Sequence, residues 1–406
     1  MKQVLLLENR IQHYAWGAPT AISRLLGRRP SGEPEAELWI GAHPRCPSIA
    51  RWPSSAEDAD GTMPLDALIA RHPEEILGRR VAARFGPALP FLTKVLAAAR
   101  PLSIQAHPSA HQAQKGYARE NAAAVPLDAP QRNYRDENHK PELIVALTDF
   151  WALKGFRPID EIVKALDTIG KDRIAGPLDR LRRTPDAGAL RDFVAAILTD
   201  DETGRGDLVA NVVDAARQRS EVAPHWARIV TLNDLYPGDV GVVIALLLNL
   251  VHLRPGEGLY LPAGELHAYL DGTGIEVMAS SDNVLRGGLT AKHVDTAEML
   301  AALTFDAGRA AVLAPRERSP TERVYTTPAE EFELSEIRVT ADSAWSATGD
   351  RSVEILLCVE GEGRLTGGDP SETLPVTRGV SLLVPAAAGA YRIEGAARIF
   401  RTTVRG

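Results

Sequence analysis

The hydrophobic period of this chain changes twice, and that change limits its fold more than any single motif. Up to about residue 155 the apolar residues fall in short runs bounded by Gly and Pro, as strands do. From Pro158 to about Leu235 the period becomes helical. Ile159, Ile162, Val163 and Leu166 follow the helix rule, as do Leu190, Phe193, Val194 and Ile197. Pro237-Gly238-Asp239 opens a further helix, Val240 to Leu248, apolar all round and therefore expected to be buried. The β pattern returns at Asn249, and Phe332 to the C-terminus reads as strands with Gly/Pro/Asp turns, a sandwich or barrel pattern. At 406 residues, two or three domains are expected. The expected fold is mainly β with a helical insertion. Residues 1–155 and 236–320 form one domain, 156–235 an inserted all-α domain, and 321–406 a C-terminal β domain.

Within this frame, Leu102 to His107 is a short strand bracketed by Pro101 and Pro108. Alternation puts Ser103, Gln105 and His107 on one face and Leu102, Ile104 and Ala106 on the other. A hydroxyl, an amide and an imidazole in a row do not suit an apolar core. They fit either a solvated edge or a polar site. Lys94, a lone cation in Phe91-Leu-Thr-Lys-Val-Leu96, either snorkels to solvent or faces a polar pocket. Met63 to Phe85 reads as two short helices with Thr62 as N-cap, and Ser109 to Asn138 as a short helix and a long loop. Asn138 to Leu147 is a strand on which Lys140 and Glu142 share a face. Leu266–Leu270 and Gly274–Asp282 read as two separate strands, the second carrying Glu276, Met278, Ser280 and Asp282 on one face. A helix is expected from Lys292 to Leu303.

A weak internal repeat links the two β regions. Gly256-x5-Pro262-x-Gly264-x2-His267 is matched by Gly379-x5-Pro385, with Ala387 at the glycine position and Ala390 where His267 stands. The spacing is that of a turn–strand–turn–strand unit in a jelly roll. A ligating histidine in the first copy only would mean one working barrel and one structural barrel.

Composition narrows the setting. Two distant cysteines, Cys46 and Cys358, make no disulfide framework and point to a reducing cytoplasm. The N-terminal apolar run is too short for a signal segment, and no run reaches the ~20 residues of a membrane span. A net charge of −7 without a cationic block argues against nucleic acid and anionic membrane as partners. An anionic small molecule would need cations gathered locally.

Four polar residues on strands, Gln105, His107, Glu142 and His267, make an N/O ligand set without thiolate. That set suits Zn²⁺, with Mn²⁺, Fe²⁺ or Co²⁺ as alternatives, in an open rather than a closed site. Ten histidines allow many accidental combinations, so residue types alone do not decide.

Four longer motifs do more. Leu102-Ser-Ile-Gln-Ala-His-Pro108, Asn138-His-Lys-Pro-Glu-Leu143, Leu261-Pro-Ala-Gly-Glu-Leu-His-Ala-Tyr-Leu270 and Ile275-Glu-Val-Met-Ala-Ser-Ser-Asp-Asn-Val-Leu-Arg286 closely resemble type I phosphomannose isomerases. Tyr14-Ala-Trp-Gly17 and Glu37-Leu-Trp-Ile-Gly41 look like the same family. The resemblance runs in order from about residue 5 to 305; the tail beyond 320 is similar only as a β domain. It implies a cupin-type enzyme with one zinc ion per chain, interconverting mannose 6-phosphate and fructose 6-phosphate. It also implies Gln105, His107, Glu142 and His267 as zinc ligands and Arg286 as a catalytic arginine. Lys140, Tyr269, Glu276, Asp282 and Lys292 match positions lining the substrate cleft, and Ser103 a phosphate contact. Trp16 and Lys94 are added as cleft candidates. A monomer is expected, with a dimer as the alternative.

For the general base the residues leave Glu276, Asp282, His139 or a metal-bound water, with Lys94 or Lys140 if desolvated. Two other functions use the same scaffold. One is a metal-dependent oxidoreductase, which would not need the cations Arg286 and Lys292. The other is a non-catalytic sugar-phosphate-binding regulator, which would be expected to have lost a ligand or Arg286.

Overall fold

The computed structural model describes residues 2–51, 61–169, 174–348, 351–368 and 372–405. Two antiparallel sheets dominate it. The first, of ten strands, runs in the order Leu248–Leu253, Phe150–Phe156, His267–Ala279, Phe91–Ala98, Glu37–Gly41, Arg10–Gln12. Strands Ile104–Ala106, Glu142–Ala146, Gly258–Leu261 and Leu285–Gly288 pair alongside. The second, of eleven, is built largely from residues 316–403, but Leu5–Glu8, Ile49–Arg51 and Thr62–Pro64 extend it, with Leu5 opposite Leu383. The N-terminal strands, expected with the first β domain, are thus shared between the two sheets.

Side-chain alternation explains how the layers stack. Leu38, Ile40, Val95, Leu143, Val145, Ile275 and Val277 of the first sheet share a core with Leu5, Leu7, Leu334, Ile355, Leu357, Leu383 and Phe400 of the second. Each such side chain contributes about 1.5–3 kcal/mol on full burial. The intervening positions, Glu37, Trp39, Lys94, Glu142, Glu276 and Met278, must then point to the other face. On a second group of strands, Ile104, Ala106, Leu153, Ala268, Leu270 and Leu285 bury against the helices. That leaves Gln105, Tyr269 and Arg286 on the opposite side. The two polar sets face a common cleft.

The helices between Ile159 and Leu247 do not have a core of their own. Ile162, Leu190, Phe193 and the wholly buried Gly241–Leu247 helix join one cluster with the sheet residues just named. Helices also occupy Leu65–Arg71, Pro73–Leu77, Arg79–Phe85, Ala110–Ala122 and Thr296–Ala302, so the chain is more evenly mixed than the mainly β reading.

Three local expectations are corrected. Residues 65–85 hold three helices, not two, because His72 and the positive-φ Gly78 (87°) each break the run; Thr62 lies in a strand and Pro64 is the cap. The two strands read at 266–270 and 274–282 are one, His267–Ala279. Asp271-Gly272-Thr273-Gly274 looks like a turn, but here a bulge between Tyr269 and Asp271 absorbs the bend. Gly272 (φ 123°) lies so close to Asp149 that a Cβ would meet its carbonyl oxygen at 2.7 Å. Finally, the last short helix starts at Thr296, where the Asp295 side chain accepts from Glu298 N–H, so Lys292 is on a loop, not at a helix start.

Candidate active site

His107 and His267 are fully buried at the base of the cleft, and Glu142 joins them; one ligand atom from each lies within 4.8 Å of the others. Both imidazoles are oriented from behind. His107 Nδ1 is 2.7 Å from the Asn283 carbonyl and His267 Nδ1 is 3.0 Å from the Glu265 carbonyl. Each carbonyl can only accept, so each Nδ1 carries a proton, and each Nε2 turns inward, where its lone pair can be offered to a cation. These lone pairs face the Glu142 carboxylate at 3.2 and 3.4 Å. Lone pair against anion is repulsive unless a cation lies between them. His107 Nε2 and Glu142 Oε2 are buried with no hydrogen-bond partner among the described residues, as donors that a metal ion would satisfy. Gln105 reaches the same point, its amide nitrogen 3.3 Å from His267 Nε2; half a turn about its last bond brings the oxygen there as a fourth donor. Two imidazoles, a carboxylate and an amide oxygen are a zinc-type set with room for further ligands.

The floor of the cleft is a charge network. Lys140 lies 3.0 Å from Glu142, and Lys94 lies 3.0 Å from Glu276 and 3.5 Å from Glu37. Trp39 donates its indole N–H to Glu37 at 2.7 Å. Lys94 therefore faces the polar pocket and does not snorkel. Burial lowers its pKa, but Glu276, Glu37 and Glu142 more than offset that, so it stays an ammonium. Burial pushes His107 down to about 4, against the pull of Glu142, which keeps it neutral. Burial raises the Glu142 carboxyl, but Lys140 beside it pulls the other way, and the group lies well below its ordinary range. Burial lifts Glu276 above its ordinary value, with Lys94 opposing. Tyr269, whose hydroxyl is buried close to Glu276, is raised by that burial and by the Glu276 charge. Three carboxylates against two ammoniums leave the floor one charge negative, which a divalent cation would reverse.

Above the floor the cleft encloses about 390 Å³. Ser103, Trp16, Tyr269, Arg286 and Lys292 all line it, as do Lys94, Lys140, Glu276 and Asp282. Arg286 and Lys292 pair with no carboxylate among the described residues. Burial lowers the pKa of both, Arg135 lowers each further, and Arg286 adds to the effect on Lys292. Crowded cations without a counter-ion form an anion site. Arg286 stands opposite Gln105 in the ladder, so the cation and the candidate ligand set share one backbone pairing. Asp282 is at the rim, 3.2 Å from Arg45 and 3.6 Å from His43, and its acceptors are already committed. His139 is not in this cleft: it pairs with Glu331 at 2.6 Å and lines a neighbouring cavity. It is removed from the possible bases.

Sequence reasoning gave no role to Glu37, Trp39, Arg45, Tyr236 or Asp239. The first four line the cleft. Asp239 accepts from the N–H groups of Gly241, Leu289 and Thr290 at 2.7–3.1 Å and so pins the loop before Lys292. That loop holds Leu289 at φ 54°, a conformation unusual for leucine. Strict alternation along Glu37-Leu-Trp39 was the available signal for the first two; nothing local marks the others.

The chain is similar to known proteins along most of its length. Residues 4–159 match the family described as phosphomannose isomerase type I, catalytic domain, and residues 321–404 match the mannose-6-phosphate isomerase cupin domain. Mannose-6-phosphate isomerase of Escherichia coli is 40% identical over 397 residues, covering 97% of this chain and 98% of that protein. Mannose-6-phosphate isomerase 1 of Arabidopsis thaliana is 34% identical over 367 residues, 87% of this chain and 81% of its own. A crystal structure of Salmonella typhimurium phosphomannose isomerase, a point variant, superposes with TM-score 0.89 at 37% identity, covering 99% of this chain and 100% of that one. A zinc-bound holo mannose 6-phosphate isomerase superposes with TM-score 0.88 at the same identity and coverage.

Proposed function

The chain belongs to the type I phosphomannose isomerase family, and we propose that it is a zinc-dependent isomerase converting mannose 6-phosphate to fructose 6-phosphate and back. The observation that carries this is the pairing of a buried, cation-seeking ligand set with two cations that line the same cleft and pair with no carboxylate among the described residues. A neutral substrate would not need Arg286 and Lys292, which also disfavours the oxygenase reading.

Aldose–ketose isomerisation moves a proton between C1 and C2 through a cis-enediolate, so the barrier lies in C–H removal and in charge left on oxygen. Zinc held by Gln105, His107, Glu142 and His267 would polarise the carbonyl as a Lewis acid. Arg286, Lys292 and Ser103 hold the phosphate, which places the sugar carbons over the floor. Arg286 stays protonated throughout and so binds and stabilises negative charge; it is no base. Glu276 fits the proton transfer best: it lines the cleft and burial lifts its pKa toward the working range. Lys94 keeps Glu276 oriented, Lys140 does the same for Glu142, and Tyr269 and Trp16 wall the sugar.

The finer architecture we propose is two jelly-roll barrels, one catalytic and one degenerate, with residues 156–235 as the insertion. We also propose a cytoplasmic monomer without nucleic-acid or membrane partners. No described helix is long and apolar enough to cross a membrane. The large exposed apolar side chains Leu6, Leu127, Val222, Leu235 and Val312 are far apart in sequence, and both cysteines are free.

A coupled assay that follows fructose 6-phosphate formed from mannose 6-phosphate tests the proposal. Activity should be lost on dialysis against a chelator and return with zinc. Turnover unchanged in protein shown to be metal-free, or absence of turnover in the zinc-loaded protein, would overturn it.

A further inference from the structure

Asn283 lies behind the metal centre, fully buried, and uses every polar atom it has. Its carbonyl accepts the His107 Nδ1–H at 2.7 Å, and its N–H donates to Ser281 Oγ at 3.2 Å. Its side-chain oxygen accepts from the backbone N–H groups of Arg135 (2.7 Å) and Asp136 (3.3 Å). Its side-chain nitrogen faces the carbonyls of Asp136 and Asn138, both at 2.9 Å, and Asp136 Oδ1 at 3.2 Å.

The carbonyl that orients His107 sits in residues 281–284, which belong to no strand or helix. No ladder of backbone bonds fixes where that oxygen points. The amide of Asn283 takes over this task by bonding the main chain of 135, 136 and 138, as a neighbouring strand would. Only an amide offers an acceptor toward two N–H groups and donors toward two carbonyls at once. Aspartate would turn an oxygen toward three acceptor oxygens, and alanine would take from the Asp136 carbonyl and the Arg135 N–H the partner that Asn283 gives them. The bonded segment runs on to Lys140 and Glu142, and three residues after Asn283 comes Arg286.

We infer that Asn283 is a positioning residue for the metal centre: its side chain fixes the carbonyl that holds the His107 imidazole, and ties that ligand to the segment delivering Lys140 and Glu142. This rests on the reading of His107 as a ligand given above.

The test compares the zinc-loaded full chain with Asn283→Ala, Asn283→Asp and, as a control for loss of a buried polar group far from the cleft, Ser352→Ala. Three things are measured: the rate of zinc release to a chromogenic chelator, the visible spectrum of the cobalt-substituted protein, and the thermal midpoint. Both Asn283 variants should release zinc ~10- to 100-fold faster, as expected for loss of a partner behind a ligand, and should alter the cobalt bands. Ser352→Ala should change only the midpoint. Zinc release within twofold of wild type with an unchanged cobalt spectrum would overturn the inference alone. A wild-type chain that binds no zinc would overturn the ligand reading beneath it. Should the variants fail to fold, the wild-type holoprotein still decides by nitrogen-15 correlation of its histidines. A proton on His107 Nδ1 with Nε2 metallated is expected, and a proton on Nε2 would refute the inference.

Discussion

Arg286→Ala separates binding from catalysis. The guanidinium is half-buried, crowded by Lys292 and Arg135, and paired with no carboxylate among the described residues. Its backbone is held opposite Gln105, so truncating the side chain leaves the ladder and Gln105 in place. If Arg286 only gripped ground-state phosphate, KM would rise and kcat would stay. If it also stabilises charge that develops on the enediolate, kcat should fall by ~10² or more, about 2.7 kcal/mol of transition-state stabilisation. The second outcome is expected, together with unchanged zinc content, because a guanidinium is no metal ligand. Removing a desolvated cation from two like charges should leave the thermal midpoint of the free enzyme unchanged or raised, since that repulsion is maintained for function. Steady-state kinetics in the coupled assay, elemental analysis and a thermal scan on one preparation cover all three claims. Wild-type kcat at saturating substrate would refute the catalytic role, and a lowered midpoint would refute the account of the crowded cations.

His267→Ala or Glu142→Ala should remove bound zinc and activity together; elemental analysis showing full zinc with lost turnover would put the ligand assignment in error. Arg401→Met strips one partner from the buried Glu322 and Glu354 carboxylates, 2.9 and 3.2 Å away. It should cost about 3–5 kcal/mol in denaturant unfolding, while kcat and zinc content at 25 °C stay unchanged. His139→Gln removes the partner of Glu331. The Glu331 hydrogen bond raises His139 above its ordinary 6.5 against the effect of burial, and Glu331 itself, which burial would raise, is lowered below 4.5 by His139. The His139 contribution is complete below pH 6.5 and lost as pH climbs through the raised value; that of Glu331 is complete above 4.5 and lost on acidification. The variant should therefore be destabilised by about 0.5–1 kcal/mol near pH 4.5–6.5 for this partly exposed pair, and the difference should vanish at alkaline pH. A pH-independent difference in unfolding free energy would exclude the ion pair as its source.

The gathering of Gln105, His107, Glu142 and His267 was legible because strand alternation and flanking prolines constrain part of it locally. Gln105 points away from Ile104 and Ala106 whatever the rest of the fold does. Lys94 was ambiguous for the opposite reason. What decides its role is that Trp39 and Glu276 flank it in the sheet, and those pairings join residues 55 and 182 positions away. The pairing of Leu5 with Leu383 is likewise invisible locally, so a domain boundary drawn from composition could not anticipate it. Lys292 was misplaced because Lys292 to Leu303 has helix-compatible spacing; the Asp295 cap that starts the helix three residues later is also present in the sequence and was the better signal.

The faint Gly/Pro repeat has a structural counterpart. Glu142 to Val145 pair with Leu261 to Gly258, and Glu354 to Leu357 pair with Val384 to Ser381, so the two ladders have the same length and sense. The shift between Leu261 and Val384 is the same as between Gly256 and Gly379, and both glycines have φ near 90°. The register puts Glu354 where Glu142 stands. In the next strand Ile144 faces Glu276, and its counterpart Leu356 faces Arg401. A carboxylate at this position is buried in both halves and needs positive charge in both. In the first half the Nε2 atoms of two imidazoles surround it, a group that could hold a metal ion. In the second, Arg351 and Arg401 approach Glu354 at 3.1 and 3.2 Å, and Tyr391 donates to it at 2.8 Å. Guanidinium groups neutralise the charge but offer no vacant site, and with Ala390 at the histidine position the second half has the geometry of a ligand site without its chemistry. One strand pattern thus yields a reactive centre or a structural ion cluster, depending on which cation the neighbouring residues recruit.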